Sequence, residues 1–197
     1  MPVKLLVFSD SHSSCGLMKH FVEKIKPNAI AHLGDYYDDG QVIGESYFPI
    51  PLYQVAGNCD AYRAPMDARG MLFLPLGGVM TFMVHGHTHH VKSGIGRLVA
   101  DGREKGAKLI LYGHTHIAYC QQEEDGIWVM NPGPAGYGGS CGLVEMENGE
   151  IKSCRILTEA AIFADKVAVD EETVRLRSHL DQMNAMLTAG GAVGRKL

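Results

Sequence analysis

The sequence predicts an α/β fold with a mixed central layer, and three observations carry that reading. Five short apolar runs each stop at Gly and polar residues, the mark of buried strands. The first two runs enclose a helical repeat, which makes a βαβ unit and a parallel start to the sheet. Beyond residue 116 paired runs flank turn dipeptides, which adds antiparallel strands.

Taken in order, residues 3–8 form the first strand, and Leu17, Phe21, Val22 and Ile25 then repeat at helical spacing until Pro27-Asn28 stops them. Residues 29–33 and 52–56 are the next strands. Residues 71–76 and 79–84 on either side of Gly77-Gly78 read as a hairpin. Residues 94–106 are expected to be helical, with Ile95, Leu98 and Val99 as the apolar face, and residues 108–112 follow as a strand. Runs at 117–121 and 127–130 flank Asp125-Gly126, and runs at 143–146 and 151–157 flank Asn148-Gly149. Leu176, Leu180, Met183 and Leu187 place a narrow apolar stripe on a late helix. The chain therefore divides into a domain of residues 1–160 and a C-terminal extension of residues 161–197. That helix is expected to pack on the domain or on a partner subunit, as in a homo-oligomer.

With 197 residues, 46% of them hydrophobic and 20% charged, the composition is that of an ordinary globular domain. A net charge of -4 carries no basic footprint, so nucleic acid is not indicated as a partner. Nothing has the length and apolarity of a membrane span, and the N-terminus enters a strand rather than a signal peptide. Five cysteines, odd in number and without CxxC spacing, read as reduced thiols in the cytoplasm.

The strand ends carry the chemistry. The first run leads to Asp10 and His12, the second to Gly34-Asp35, the third to Gly57-Asn58, the fourth to His85, and the fifth to Gly113-His114-Thr115-His116. Each piece alone has a plainer reading: Asp-x-His as a helix cap and surface histidine, Gly-Asp and Gly-Asn as turns. Together, in order, each at a strand end where α/β sheets collect ligands, they point to metal. Carboxylate, imidazole and amide oxygen without thiolate grouping suit Mn²⁺, Fe²⁺, Zn²⁺, Co²⁺ or Ni²⁺, with Mn²⁺ first. Seven donors exceed one ion's needs, and two ions about 3.5 Å apart, bridged by a carboxylate and a water, would use them all. Such a water is acidic enough to be hydroxide near neutral pH, and a phosphoryl group is its natural electrophile.

The ordered set Asp10-x-His12, Gly34-Asp35, Gly57-Asn58, His85 and Gly113-His114-x-His116 resembles the calcineurin-like metallophosphoesterases, closest to their small single-domain phosphodiesterase branch. The resemblance covers residues 3–133. It implies a four-layer α/β sandwich, with mixed central β-sheets flanked by helices and metals at the sheet edge. It also implies that Asp10, His12 and His116 hold one ion, that Asn58, His85 and His114 hold the other, and that Asp35 bridges them. The implied activity is a dinuclear phosphodiesterase of small diesters, in which a metal-bridging hydroxide attacks phosphorus in line. Two departures matter. Where much of the family has Gly-Asn-His and an acid, this chain has Gly57-Asn58-Cys59-Asp60, so Asp38 lacks the histidine it would orient. Cys59 is a weak acid for protonating an alkoxide, which favours diesters with stable leaving groups. The Gly-rich stretch at 133–142 is also unusual and is expected to shape substrate access.

His85-Gly86-His87-Thr88-His89-His90 also imitates the H-x-H-x-D-H signature of metallo-β-lactamase-type hydrolases, with His89 where the Asp belongs. That alternative leaves Asp10, His12, Asp35 and Asn58 unexplained. In the preferred reading His87 touches substrate phosphate, while His89 and His90 support the ligands or face solvent. His20, His32 and His179 are expected to be structural and away from the cluster, and Cys15 to pack. A non-catalytic scaffold of the same fold is the other alternative, since a retromer subunit resembles this family.

Overall fold

The structure, a computed structural model, describes residues 2–136 and 139–162. The chain divides into two units, residues 1–159 and residues 160–197, and the architecture below is that of the first. The expected helix around Leu176 to Leu187 lies outside the described residues.

Ten strands form two mixed sheets. In the first, β10 (Glu150–Thr158), β9 (Ser140–Glu147), β1 (Val3–Phe8), β2 (Ala29–His32) and β3 (Leu52–Gln54) lie side by side in that order. In the second the order is β4 (Met71–Leu76), β5 (Val79–Val84), β6 (Leu109–Leu111), β8 (Trp128–Asn131), β7 (Tyr119–Gln122). Strands β1, β2 and β3 run parallel, as do β5, β6 and β8; β9, β10, β4 and β7 pair antiparallel at the flanks. The antiparallel strand pairs expected beyond residue 116 form, with one addition. β7 and β8 do form an antiparallel hairpin, but β8 then docks parallel to β6.

The layers follow from period-2 alternation. Leu5 and Val7 of β1 face the core between the sheets, where they join Met83, Leu109 and Leu111. Leu6 and Phe8 are buried too, and the Phe8 ring lies 6.2 Å from Phe21 of helix α1 (Cys15–Ile25). Phe82, Ile110 and Val129 of the second sheet pack instead with Leu98 and Val99 of helix α3 (Gly96–Glu104). Each such fully buried side chain contributes roughly 1.5–3 kcal/mol. Helix, two sheets and helix make the expected four layers.

Helix α1 ends as its sequence indicates, with Lys26 in the left-handed conformation before Pro27. Its most buried residues are Met18, Phe21 and Val22, whereas Leu17 and Ile25 are only half-buried. One helix escapes the sequence pattern altogether: α2 (Tyr37–Ser46) buries Asp39, Gly40 and Ile43.

The segment after β5 settles what His89 and His90 do. His89 is buried on the Phe82 ring, and its Nε2 lies 3.1 Å from Asp101 Oδ2 on α3. His90 is exposed, with a φ of 55° that turns the chain between two short 3-10 turns. His89→Ala is expected to cost about 1–2 kcal/mol in urea unfolding, because it leaves Asp101 half-satisfied and opens a gap beside Phe82. Metal binding should be unchanged within twofold, about the error of such a titration.

Candidate metal centre

Both sheets present strand ends to one edge, and the residues just past them leave the extended conformation abruptly. Asp10, His12, Asp35, His114 and His116 have φ of 53°, 46°, 56°, 69° and 58°. Left-handed backbone at a non-glycine residue costs on the order of 1 kcal/mol and persists where surrounding structure imposes it. Here it turns five side chains from the ends of β1, β2 and β6 toward one point. The same crowding explains Gly57 and Gly113: a Cβ at either would overlap Asp35 Oδ1 or Ser9 Oγ respectively.

The donors fall into two groups, within each of which they lie within 4.8 Å of one another: Asp10, His12, Asp35 and His116, and Asp35, His85 and His114. Asp35 belongs to both. Asn58 joins the second, its Oδ1 3.1 Å from His85 Nε2. Asp10, Asp35 and His85 form a buried floor, while His12, Asn58 and His116 are exposed on the rim. All seven residues singled out from the sequence therefore meet at one place.

The floor is held by groups whose own hydrogen bonds are fixed. His85 Nδ1 donates to the Leu33 carbonyl at 2.8 Å, which leaves Nε2 to face Asp35 Oδ2 at 3.4 Å. Asp10 Oδ2 accepts from Ser9 Oγ at 2.6 Å and from the His114 N–H at 3.1 Å. Asp60 Oδ2 accepts the N–H groups of Asp35 at 2.9 Å and Gly57 at 2.7 Å, tying two ligand loops together. Asn131 donates to the Gly113 carbonyl at 2.9 Å and to Thr115 Oγ1 at 3.0 Å, bracing the His114–His116 turn. Ser9, Asp60 and Asn131 thus do positioning work that the sequence does not disclose, although Asn131-Pro132-Gly133 resembles a family loop near the site.

Electrostatics agree with a cation site. Burial opposes ionisation of Asp35, but hydrogen bonds from His85 and the Cys59 N–H outweigh it and hold the carboxyl well below the usual range. Burial would likewise push His85 down, yet Asp35 and Asp10 beside it raise it above the ordinary imidazole value. His87 and His114 are pushed down by burial and then by His85. Asp10 Oδ1 is buried and accepts no hydrogen bond; its polar neighbours are His116 Nε2 at 3.1 Å and His85 Nε2 at 4.0 Å. An orphaned carboxylate oxygen among imidazoles, with mixed oxygen and nitrogen donors, fits divalent ions.

The other singled-out residues separate clearly. His87 stands beside the cluster, its ring 5.5 Å from His85 and 6.1 Å from His114. His89 points to Asp101 instead, so the imitation of the metallo-β-lactamase signature does not assemble. Cys59 is exposed beside Asn58, and burial together with Asp35 raises its thiol above the ordinary value. Asp38 pairs with Arg63 at 2.9 Å in place of the absent histidine. Cys15 packs on Asp39, and burial plus that carboxylate push its thiol up to about 11.

His32 is not away from the cluster as expected. It is buried directly behind it, with Nε2 3.2 Å from Ser11 Oγ. Burial pushes it from 6.5 down to about 4. The unfolded chain takes this proton near pH 6.5 and the folded chain only near pH 4, so stability is full above the first value and falls toward the second. Between pH 7 and 4.5 this group is expected to remove about 2.5 kcal/mol. Urea unfolding of wild type and His32→Gln at both pH values isolates it from the opposing His85 contribution. Parallel slopes for the two proteins would refute the assignment.

Residues 3–149 match the model described as the calcineurin-like phosphoesterase superfamily domain. Residues 142–197 match that of the endoribonuclease YicC-like C-terminal region; the part up to residue 158 forms β9 and β10 here and supplies no candidate ligand. A "Probable metallophosphoesterase" of Mycoplasma pneumoniae is 26% identical over 66% of this chain and 77% of its own length. A predicted phosphoesterase from Streptococcus pneumoniae superposes with a TM-score of 0.64 at 24% identity, covering 80% of this chain and 90% of its own. Vacuolar Protein Sorting 29 of Cryptosporidium parvum gives 0.63 at 16% identity, covering 80% and 99%. A structure described as a novel archaeal phosphodiesterase gives 0.59 at 18% identity, covering 79% and 99%. Among the described residues no helix is long and apolar enough to cross a membrane. With residues 3–149 matching its model, the chain belongs to the calcineurin-like phosphoesterase superfamily, whose members normally use divalent metals.

Proposed function

We propose that this protein is a phosphodiesterase of small diesters that works with two divalent cations, Mn²⁺ first among them. The observation that carries the reading is that one carboxylate, Asp35, belongs to both donor groups. Asp10, His12 and His116 would complete the first site, and Asn58, His85 and His114 the second. When bound, the ions supply Lewis acidity, activating water and neutralising charge on phosphoryl oxygens. The chain's own residues do the rest. The buried floor fixes where the phosphoryl group sits, and the exposed rim leaves one side open to it. His87, neutral beside His85 and His114, is placed to hold a phosphoryl oxygen. Cys59 stays a neutral thiol, so no side chain at the cluster is a ready nucleophile and no covalent enzyme intermediate is proposed. The likeness to an archaeal phosphodiesterase supports the diester preference.

The test is hydrolysis of a chromogenic phosphodiester and the matching monoester by chelator-stripped protein, with and without Mn²⁺. Metal-restored turnover with diester ahead of monoester by about tenfold or more supports the reading. Two bound ions without turnover of either would move the protein to a non-catalytic scaffold. Cys59→His puts an imidazole beside Asn58 at the cluster and is expected to raise monoester turnover by roughly tenfold to a hundredfold. An unchanged monoester rate in a metal-loaded Cys59→His would refute the leaving-group argument.

A further inference from the structure

A cavity of about 490 Å³ opens beside the second donor group and extends past it along residues 61–68. Asn58 and His87 stand at its mouth, while Ala61, Ala64, Pro65 and Met66 wall it. We infer that this cavity is the subsite for one ester arm of the substrate, and that it takes an uncharged organic group of aryl or nucleoside size. The inference rests on the phosphodiesterase reading and narrows it to a substrate class.

Four observations support the occupant. The volume is within the range that holds a small organic ligand. The wall is made of methyl groups, a proline ring and a thioether, and no Lys or Arg lines it, so a second phosphate finds no partner there. Its one carboxylate, Asp60, has both oxygens engaged: Oδ2 by Asp35 and Gly57 N–H, Oδ1 by Tyr37 N–H at 2.9 Å. That acid therefore neither recognises a cation nor tolerates an added anion. Met66 and neighbouring Tyr62 are fully exposed, large apolar side chains that gain contact area only when something lies against this loop.

Calorimetric titration of Mn²⁺-loaded protein with phenyl phosphate and with inorganic phosphate tests this. Wild type is expected to bind phenyl phosphate about tenfold or more tightly than phosphate, from burial of the ring. Ala64→Leu and Ala61→Leu, which fill the cavity, are expected to bring that ratio to within about twofold of unity. A ratio near one in wild type, or a ratio that survives both substitutions, would overturn the subsite while leaving the metal centre intact. Failure of metal-loaded wild type to bind inorganic phosphate would overturn the metal-centre reading, and the subsite with it.

A different observation carries a second inference. Cys120 on β7 and Cys154 on β10 are edge-strand residues of opposite sheets, and their Sγ atoms lie 3.3 Å apart. The geometry points to a reversible disulfide that closes this edge of the sandwich. Either cysteine, as its thiolate, opens the reaction. Its thiolate attacks glutathione disulfide and releases one glutathione thiolate. The other cysteine's thiolate then attacks the protein sulfur of the mixed disulfide and releases the second, while the two cysteine protons pass to solvent. Incubation with glutathione disulfide, alkylation and peptide mapping should recover a Cys120–Cys154 linked peptide, absent in Cys120→Ser. Recovery of both residues alkylated, or of either one as a stable glutathione adduct with the other free, would overturn the pairing.

Discussion

Asp35→Asn is expected to lower metal-dependent diester turnover at least about a thousandfold while the protein stays folded. The amide preserves the shape of the side chain and can still accept the Cys59 N–H that Asp35 Oδ1 accepts at 2.8 Å. What it loses is the charge that lets one residue serve two donor groups, and the carboxylate that faces His85. The variant should therefore bind fewer ions per chain by direct metal analysis, with an unfolding curve close to that of metal-free wild type. Near-wild-type turnover with two ions loaded would show that Asp35 does not bridge them.

Gly57→Ala is expected to be nearly as damaging with no change of charge at all. Its Cβ would overlap the Asp35 carboxylate and come within 2.5 Å of the Asp35 backbone nitrogen, and backbone has no room to yield. Two ligand loops would have to separate where Asp60 now ties them. The expected costs are about 2–3 kcal/mol in urea unfolding and roughly a hundredfold in turnover, since small misplacements of reacting groups are expensive. Gly16, on α1 with nothing within 4 Å of a built Cβ, is the control: Gly16→Ala should be neutral or stabilising by about 0.5 kcal/mol. Equal effects at Gly57 and Gly16 would contradict the crowding argument.

The contrast between these glycines bears on what a sequence discloses. The strands were legible because buried parallel strands are continuous apolar runs, and the seven donors because each immediately follows such a run. Helix α2 was not, since Tyr37-Asp38-Asp39-Gly40-Gln41-Val42-Ile43-Gly44-Glu45-Ser46 contains two glycines and buries a single large apolar side chain. The parallel docking of β8 on β6 was hidden for another reason. The local hairpin signal of β7 and β8 says nothing about which distant strand their free edge will meet. The bracing roles of Ser9, Asp60 and Asn131 escaped because they act on groups set in place only by the finished fold. His32 was misjudged because a histidine inside a strand looks structural whether it lies far from a site or directly behind it.

The donors come from both halves of the sandwich: Asp10, His12, Asp35 and Asn58 follow strands of one sheet, and His85, His114 and His116 follow strands of the other. An ion in either group would therefore act as a rivet between two plates. Whatever slides the plates past each other must loosen the ions, and whatever loosens the ions must ease the sliding, by the same free energy. The apolar layer between the sheets is thus part of the metal-binding apparatus. A substitution such as Leu109→Ala, in a layer that contains no ligand, would be read by the ions before it was read by the fold.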